Sequence, residues 1–218
     1  MNRLVLALAL TAGVAALEFW GGYRAHSLAL TTDAVHVCMD VFALALALAA
    51  SFGSMRPANP RKTFGYGRLE ILGAVVNGAI LLSVTLFITY EAVQRFYQPH
   101  QSQGVMMSAV AGVGFVVNVL VATTLSHQAR ENLNVRSALY HILGDALGAA
   151  AVILGGAVIV VTSATWIDPL LSLLIAGIII AGVVHVLREA TDVLLEGVPR
   201  GMHPKNVTDE MQKISGVV

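Results

Sequence analysis

Two pairs of one histidine and one aspartate share the same spacing, and each pair lies inside an apolar segment. His36 precedes Asp40 by four residues, and His141 precedes Asp145 by four. Residues i and i+4 of a helix lie on one face, so each pair would offer an imidazole beside a carboxylate. Because ionisable side chains are costly at membrane depth, they usually mark a functional site there.

Two such helices facing each other would supply two nitrogen and two oxygen ligands to one ion. This donor set suits tetrahedral Zn²⁺, whereas Mg²⁺ and Ca²⁺ prefer oxygen ligands alone. The ligand types leave Co²⁺, Cd²⁺, Ni²⁺ and Fe²⁺ open. The alternative is that the four side chains only hydrogen-bond helices together. We favour the metal site, because a cation between two buried carboxylates offsets the cost of burying them.

The composition predicts an integral membrane protein. Of the 218 residues, 56% are hydrophobic and 12% are charged, whereas a soluble domain carries about 25% charged residues. Lys+Arg and Asp+Glu balance at 13 each, so no basic field favours nucleic acid as a partner. Cys38 is the one cysteine, which excludes an internal disulfide and a cluster of several cysteine ligands.

Six segments are long and apolar enough to cross a bilayer, which takes about 20 residues. We therefore predict an all-α membrane protein with six transmembrane helices in a bundle. The first segment follows a short basic start and resembles a signal peptide, but further spans follow it, so we interpret it as a retained helix. The predicted spans are 4–22, 28–52, 69–94, 105–126, 134–162 and 166–187.

The distribution of Lys and Arg predicts the orientation of the chain in the membrane. Six spans place both termini on one side, and that side holds every Lys and Arg except Arg24 and Arg95. Since basic residues collect in cytoplasmic loops, both termini should be cytoplasmic. We expect the membrane to be the cell's inner membrane.

The composition changes near Arg188, where the chain becomes charged and contains two prolines. We predict a transmembrane domain over 1–187 and the start of a cytoplasmic C-terminal domain over 188–218. Within that second part we expect a helix, then a break at 197–204, and then an amphipathic helix from about Lys205. A segment this short cannot bury a core of its own.

Several stretches, in order along nearly the whole chain, resemble the cation diffusion facilitator family. The resemblance to its first and second helices rests on GGYRAHSLALTTDAVHVCMDVFALALALAAS, and that to the loop before its third helix on NPRKTFGYGRLEILGAVVNG. The resemblance to its fifth and sixth helices rests on NLNVRSALYHILGDALGAAAVILGG and WIDPLLSLLIAGII. VLLEGVPRG resembles the junction to the family's cytoplasmic domain.

This resemblance implies a homodimeric, proton-coupled exporter of divalent metals rather than an enzyme, with the metal as transported substrate. The family's transport ligands carry over to His36, Asp40, His141 and Asp145, and a histidine at the first position resembles the zinc-preferring members. Some members bind a second metal in the loop between the second and third helices. Here Asn59, Lys62 and Tyr66 stand where its ligands would be, so we predict no metal there.

Two other classes of function use the same residues. A membrane-embedded metallohydrolase would need an open coordination position and a general base, and a passive channel would need weak binding at several sites. Four side-chain ligands at one site fit neither class well. The roles of Glu18 and Asp33 stay open. Glu18 could pair with a neighbouring helix or join a proton path, and Asp33 could be a secondary ligand, a proton acceptor or a helix-end group.

Overall fold

The chain folds into six α-helices in this computed structural model, which describes residues 2–54, 66–98, 100–126 and 133–198 together with Thr208, Asp209 and Met211. All regular secondary structure within those residues is helical, which confirms the predicted all-α fold. The helices are α1 (Asn2–Ala25), α2 (Leu28–Ser54), α3 (Arg68–Tyr97), α4 (Gly104–Ser126), α5 (Leu133–Thr162) and α6 (Ile167–Leu194).

Helix α6 is longer than the predicted membrane span. That span ends at residue 187, and the helix that we expect after it is continuous with the span, so α6 runs to Leu194. The charged residues after Arg188 leave it intact, because polar side chains on an exposed helix face stay solvated. The division into 1–187 and 188–218 stays a prediction. Residues 199–204 of the predicted break and the following residues 205–207 lie outside the described part of the chain, and Thr208, Asp209 and Met211 are helical.

Five of the helices, α2 to α6, are long and apolar enough to cross a membrane by length and composition. The crossing by α1, which has 24 residues, stays a prediction. Large apolar side chains also cover the outside of the bundle, as a surface in contact with lipid requires. Highly exposed examples on α2, α3, α4 and α5 are Phe52, Phe87, Val105 and Val161.

The helices pack in three pairs: α1 with α2, α3 with α6, and α4 with α5. Leu30, Met107 and Val152 are fully buried where α2, α4 and α5 meet. Glycines allow α4 and α5 to approach closely, because a side chain at Gly104 would collide with the carbonyl oxygen of Gly156. Helix α2 also packs against α3 and α6, but it shares few contacts with α5.

A fully buried aspartate in the first turn of α6 anchors the start of α2. The carboxylate of Asp168 accepts hydrogen bonds from the backbone N–H groups of Leu28 (2.8 Å) and Ala29 (3.2 Å). The first N–H groups of a helix have no partner within the helix, and a carboxylate also suits the positive end of the helix dipole. Ser27 Oγ donates to the same carboxylate at 2.6 Å. The helix that carries His36 and Asp40 is therefore held at its N-terminus by α6.

At the opposite end of the bundle, α3 and α6 are joined by an exposed ion pair. Arg68 in the first turn of α3 donates to the carboxylate of Glu196, just after the end of α6. This end also holds the connection between α2 and α3. Asn59 and Lys62, where we predicted no metal site, lie outside the described residues.

Candidate metal centre

The structure brings together the four side chains that the sequence singled out. Helix α2 supplies His36 and Asp40, and α5 supplies His141 and Asp145. One donor atom from each residue can be chosen so that all four lie within 4.8 Å of one another. The two helices touch little elsewhere, so these side chains form much of their contact.

Each histidine faces carboxylates from both helices. His36 Nε2 lies 3.7 Å from Asp40 Oδ2 and 3.9 Å from Asp145 Oδ1. His141 Nε2 lies 3.1 Å from Asp40 Oδ2 and 3.9 Å from Asp145 Oδ2. A tetrahedral Zn²⁺ ion with bonds of about 2.0–2.1 Å holds its ligands roughly 3.3 Å apart. Small movements of these side chains would therefore complete a zinc coordination sphere.

The two imidazole rings meet edge to face, with centroids 5.9 Å apart and planes at 73°. His36 Nδ1 is buried and has no hydrogen-bond partner in the structure. Metal-bound histidines usually donate their second N–H to an acceptor that fixes the ring. Within the described part of the chain, the His36 ring lacks such an acceptor.

Burial differs among the four side chains in a way that indicates the direction of access. Asp145 is the least exposed at 11%, and His141 is the most exposed at 49%. A cavity of about 570 Å³ begins at His36, Asp40 and His141 and reaches Glu70 in the first turn of α3. Small residues line much of it: Ala43, Ala47, Gly73, Ala74, Gly78 and Gly182. The site is therefore reached from the end of the bundle where α2 ends and α3 begins.

Glu70 and Asn77 in this cavity were not among the candidate site residues. Both line the same cavity as His36, Asp40 and His141, and Asn77 Oδ1 is buried without a hydrogen-bond partner. No spacing rule connects α3 to the motifs on α2 and α5. A possible signal is that Glu70, Asn77 and the small residues Gly73, Ala74 and Gly78 follow one another at helical spacing.

Glu18 and Asp33, whose roles the sequence left open, lie in the interior of the bundle. Glu18 is 1% exposed and Asp33 is 5% exposed. Neither residue belongs to the group of four or lines the cavity.

Comparison with known proteins places this arrangement in a family. Residues 4–195 match the cation efflux transmembrane domain. The chain is 41% identical over 199 residues to the zinc transporter ZitB of Escherichia coli K12, covering 91% of this chain and 64% of that protein. It is 36% identical over 215 residues to the cadmium, cobalt and zinc/H(+)-K(+) antiporter of Bacillus subtilis 168, covering 98% of this chain and 68% of that protein.

A third relative, the cation efflux system protein CzcD of Alcaligenes sp., is 37% identical over 216 residues, covering 99% of this chain and 68% of that protein. The chain thus spans about two thirds of the length of these relatives, which are named as transporters, an antiporter or an efflux protein rather than as enzymes. The match over residues 4–195 and the level of identity show that this chain belongs to the cation efflux family, the cation diffusion facilitators.

Proposed function

We propose that this chain exports divalent metal cations, Zn²⁺ foremost, from the cytoplasm in exchange for protons. His36, Asp40, His141 and Asp145 bind the transported ion. The observation that carries the proposal is the convergence of these four donors, three of which (His36, Asp40 and His141) line a cavity that leads away from them. The names of the relatives support the choice of substrate, because they include a zinc transporter and a cadmium, cobalt and zinc/H(+)-K(+) antiporter.

The cavity opens toward the cytoplasm in this proposal. The excess of Lys and Arg places both termini, and with them the connection between α2 and α3, on the cytoplasmic side of the inner membrane. Glu70 then stands where a hydrated cation enters, and its carboxylate attracts positive charge. The protein functions as a homodimer in the bilayer, as the relationship to the family implies. The structure would represent the state that loads metal.

Exchange with protons follows from the chemistry of the ligands. Histidine binds a metal only when its nitrogen lone pair is free, and carboxylates bind only when ionised, so metal and protons compete for the same atoms. Histidine titrates near pH 6.5, which makes a modest proton gradient effective. When the site faces outward, protonation releases the ion, and the protonated carrier returns.

Two other functions are less well supported. A metallohydrolase needs an open coordination position for water or substrate, whereas here four side chains surround one point. A passive channel needs weak binding at several sites, and a four-ligand site would hold the ion tightly. Dependence of the flux on a proton gradient separates the exporter from the channel, and a peptide- or lipid-hydrolysis assay tests the enzyme.

Zinc uptake into inside-out membrane vesicles tests the proposal. Uptake should require a proton gradient, and Asp40→Ala or Asp145→Ala should abolish it, because each variant removes a charged ligand. His185→Ala is the matched control, since His185 is exposed on α6 and pairs with Glu189 at 3.3 Å, away from the cavity. Undiminished, gradient-driven uptake in both aspartate variants would contradict the proposal.

A further inference from the structure

Glu18 and Asp33 are two buried carboxylates that the four-ligand site does not use. Glu18 Oε1 lies against α4, where a Cβ added to Gly114 would collide with it, and Oε2 is buried without a hydrogen-bond partner. Asp33 Oδ1 lies against α5, 3.6 Å from the position that a Cβ of Gly148 would occupy. Both carboxylates therefore point into the interior that α1, α2, α4 and α5 share.

This pair lies on the opposite side of the metal ligands from the cavity. Asp33 precedes His36 by one helical turn on α2, on the side of the connection to α1. Gly148, which faces Asp33, follows Asp145 by about one turn on α5. Helices α1 and α2 meet at this end of the bundle. The pair thus stands between the metal ligands and the end opposite the cavity mouth.

The charged groups that act most strongly on the pair are other carboxylates. Glu18 interacts electrostatically with Asp33 of α2 and Asp145 of α5. Asp33 interacts in the same way with Asp145 and Asp40. Helix α4 contributes Gly114 at the point of contact and no charge. Neighbouring ionised carboxylates out of water repel one another and lack the hydration that would stabilise them. Such a group persists only when protons or a cation neutralise part of its charge.

We propose that Glu18 and Asp33 form a proton-binding pair that loads and unloads in opposition to the metal. This inference rests on the proposed exchange of metal for protons and names where exchanged protons reside. Two carboxylates alone supply fewer oxygens than a larger cation such as Ca²⁺ needs, which takes about 6–8.

The coupling acts through space and needs no shared ligand. Without metal, the charges of Asp40 and Asp145 favour a proton on the pair. A bound divalent ion neutralises those two aspartates, so the pair loses that electrostatic support. A carboxyl O–H bond then breaks, the carboxylate keeps the electron pair, and the proton leaves to water. Metal departure reverses the step, which gives opposite occupancy by metal and protons.

Calorimetry of zinc binding counts these protons. Zinc is titrated into the detergent-solubilised full chain, in buffers of different protonation enthalpy, at about pH 7.5, a unit above the ordinary histidine pKa. The double variant Glu18→Gln with Asp33→Asn should release about one proton fewer per bound zinc than the wild type, since amides carry no acidic proton. Its zinc Kd should stay within about tenfold, because all four ligands remain.

Glu189→Gln is the matched control, because it removes an exposed carboxylate of α6 and should leave the proton count unchanged. An unchanged proton count in the double variant overturns the inference. So does a wild-type proton release that disappears when K⁺ replaces choline in the buffer, since K⁺ would then occupy the pair. The proton count measures binding and not transport. If the wild type binds zinc but does not transport it, the proposed export is contradicted and the proton-binding pair is not.

A second measurement uses the wild type only and does not depend on how the variants fold. The infrared difference spectrum between the zinc-bound and zinc-free protein should show loss of a protonated carboxyl C=O band on binding. Absence of that band change overturns the inference. The single variant Asp33→Asn should reduce the amplitude of this carboxyl band. Elution as one species in size-exclusion chromatography shows that the variant is folded. An unchanged band in that folded variant also counts against the pair.

Discussion

Replacing Asp168 with alanine should destabilise the whole bundle, although the residue lies far from the metal ligands in sequence. Its carboxylate is fully buried and accepts four hydrogen bonds that join α2, α6 and the connection before α4. Besides Ser27, Leu28 and Ala29, the fourth donor is Ser102 Oγ at 3.1 Å. Arg95 Nη1 lies 3.6 Å away and balances the charge.

The expected loss of stability follows from the hydrogen-bond donors that Asp168→Ala leaves without an acceptor. Hydrogen bonds to charged groups contribute roughly 1.5–3 kcal/mol each, so the four represent an upper bound of about 6–12 kcal/mol. Part of this is recovered, because Ser102 and Arg95 also contact the carbonyl oxygen of His26. We therefore expect Asp168→Ala to cost about 3–5 kcal/mol, as for breaking a buried ion pair. Asp168→Asn keeps one acceptor oxygen and should cost about half as much.

Thermal unfolding of the detergent-solubilised protein measures this loss. Trp166 lies two residues before Asp168, so its fluorescence reports on this end of the bundle. For a chain of this size, a loss of 3–5 kcal/mol lowers Tm by roughly 6–20 °C. Asp192→Ala, an exposed aspartate near the other end of α6, is the control and should change stability by less than about 0.5 kcal/mol. Equal Tm values for the two variants would refute the anchoring role of Asp168.

Two further predictions concern the metal ligands and the helix packing. Zinc affinity should fall as the pH is lowered, by up to about 100-fold per pH unit where both histidines carry protons, because His36 and His141 must lose those protons to bind the metal. A chelator competition assay that finds no change between pH 5.5 and 6.5 would contradict the ligand assignment. Gly156→Val should lower stability by about 1–3 kcal/mol in thermal unfolding, because its Cβ would meet Ser108 and the Gly104 backbone. Gly112→Val, where nothing lies within 4 Å of an added Cβ, should have little effect, and an equal loss in both variants would argue against close packing as the cause.

The helices and the pairing of each histidine with an aspartate could be predicted because both depend on local patterns. Apolar length predicts a membrane helix, and the i, i+4 spacing places His36 beside Asp40 whatever the rest of the fold does. Apolar length alone ends the sixth span at residue 187. The helix expected beyond that residue is continuous with the span to Leu194, because charged side chains on an exposed face do not interrupt the backbone hydrogen bonds.

Long-range partners were beyond the reach of these patterns. Asp168 lies about 140 residues from the backbone groups of α2 that it binds, and no periodicity connects a carboxylate at the start of one helix to the free N–H groups of another. Asn77 and Glu70 were missed for a similar reason, because only the packing of α3 against α2 and α6 turns them toward a cavity. The sequence predicts which side chains lie on each helix, and the packing of the helices decides which of those side chains meet at one site.

The sparse contact between α2 and α5 has a mechanical consequence. Helix α2 packs mainly against α1, α3 and α6, whereas α5 packs mainly against α4. Few protein contacts therefore join α2 directly to α5. An ion bound by side chains of both helices would then be the strongest link between α2 and α5. Binding of the ion would draw α2 and α5 together at this point, and its release would let the two helices separate.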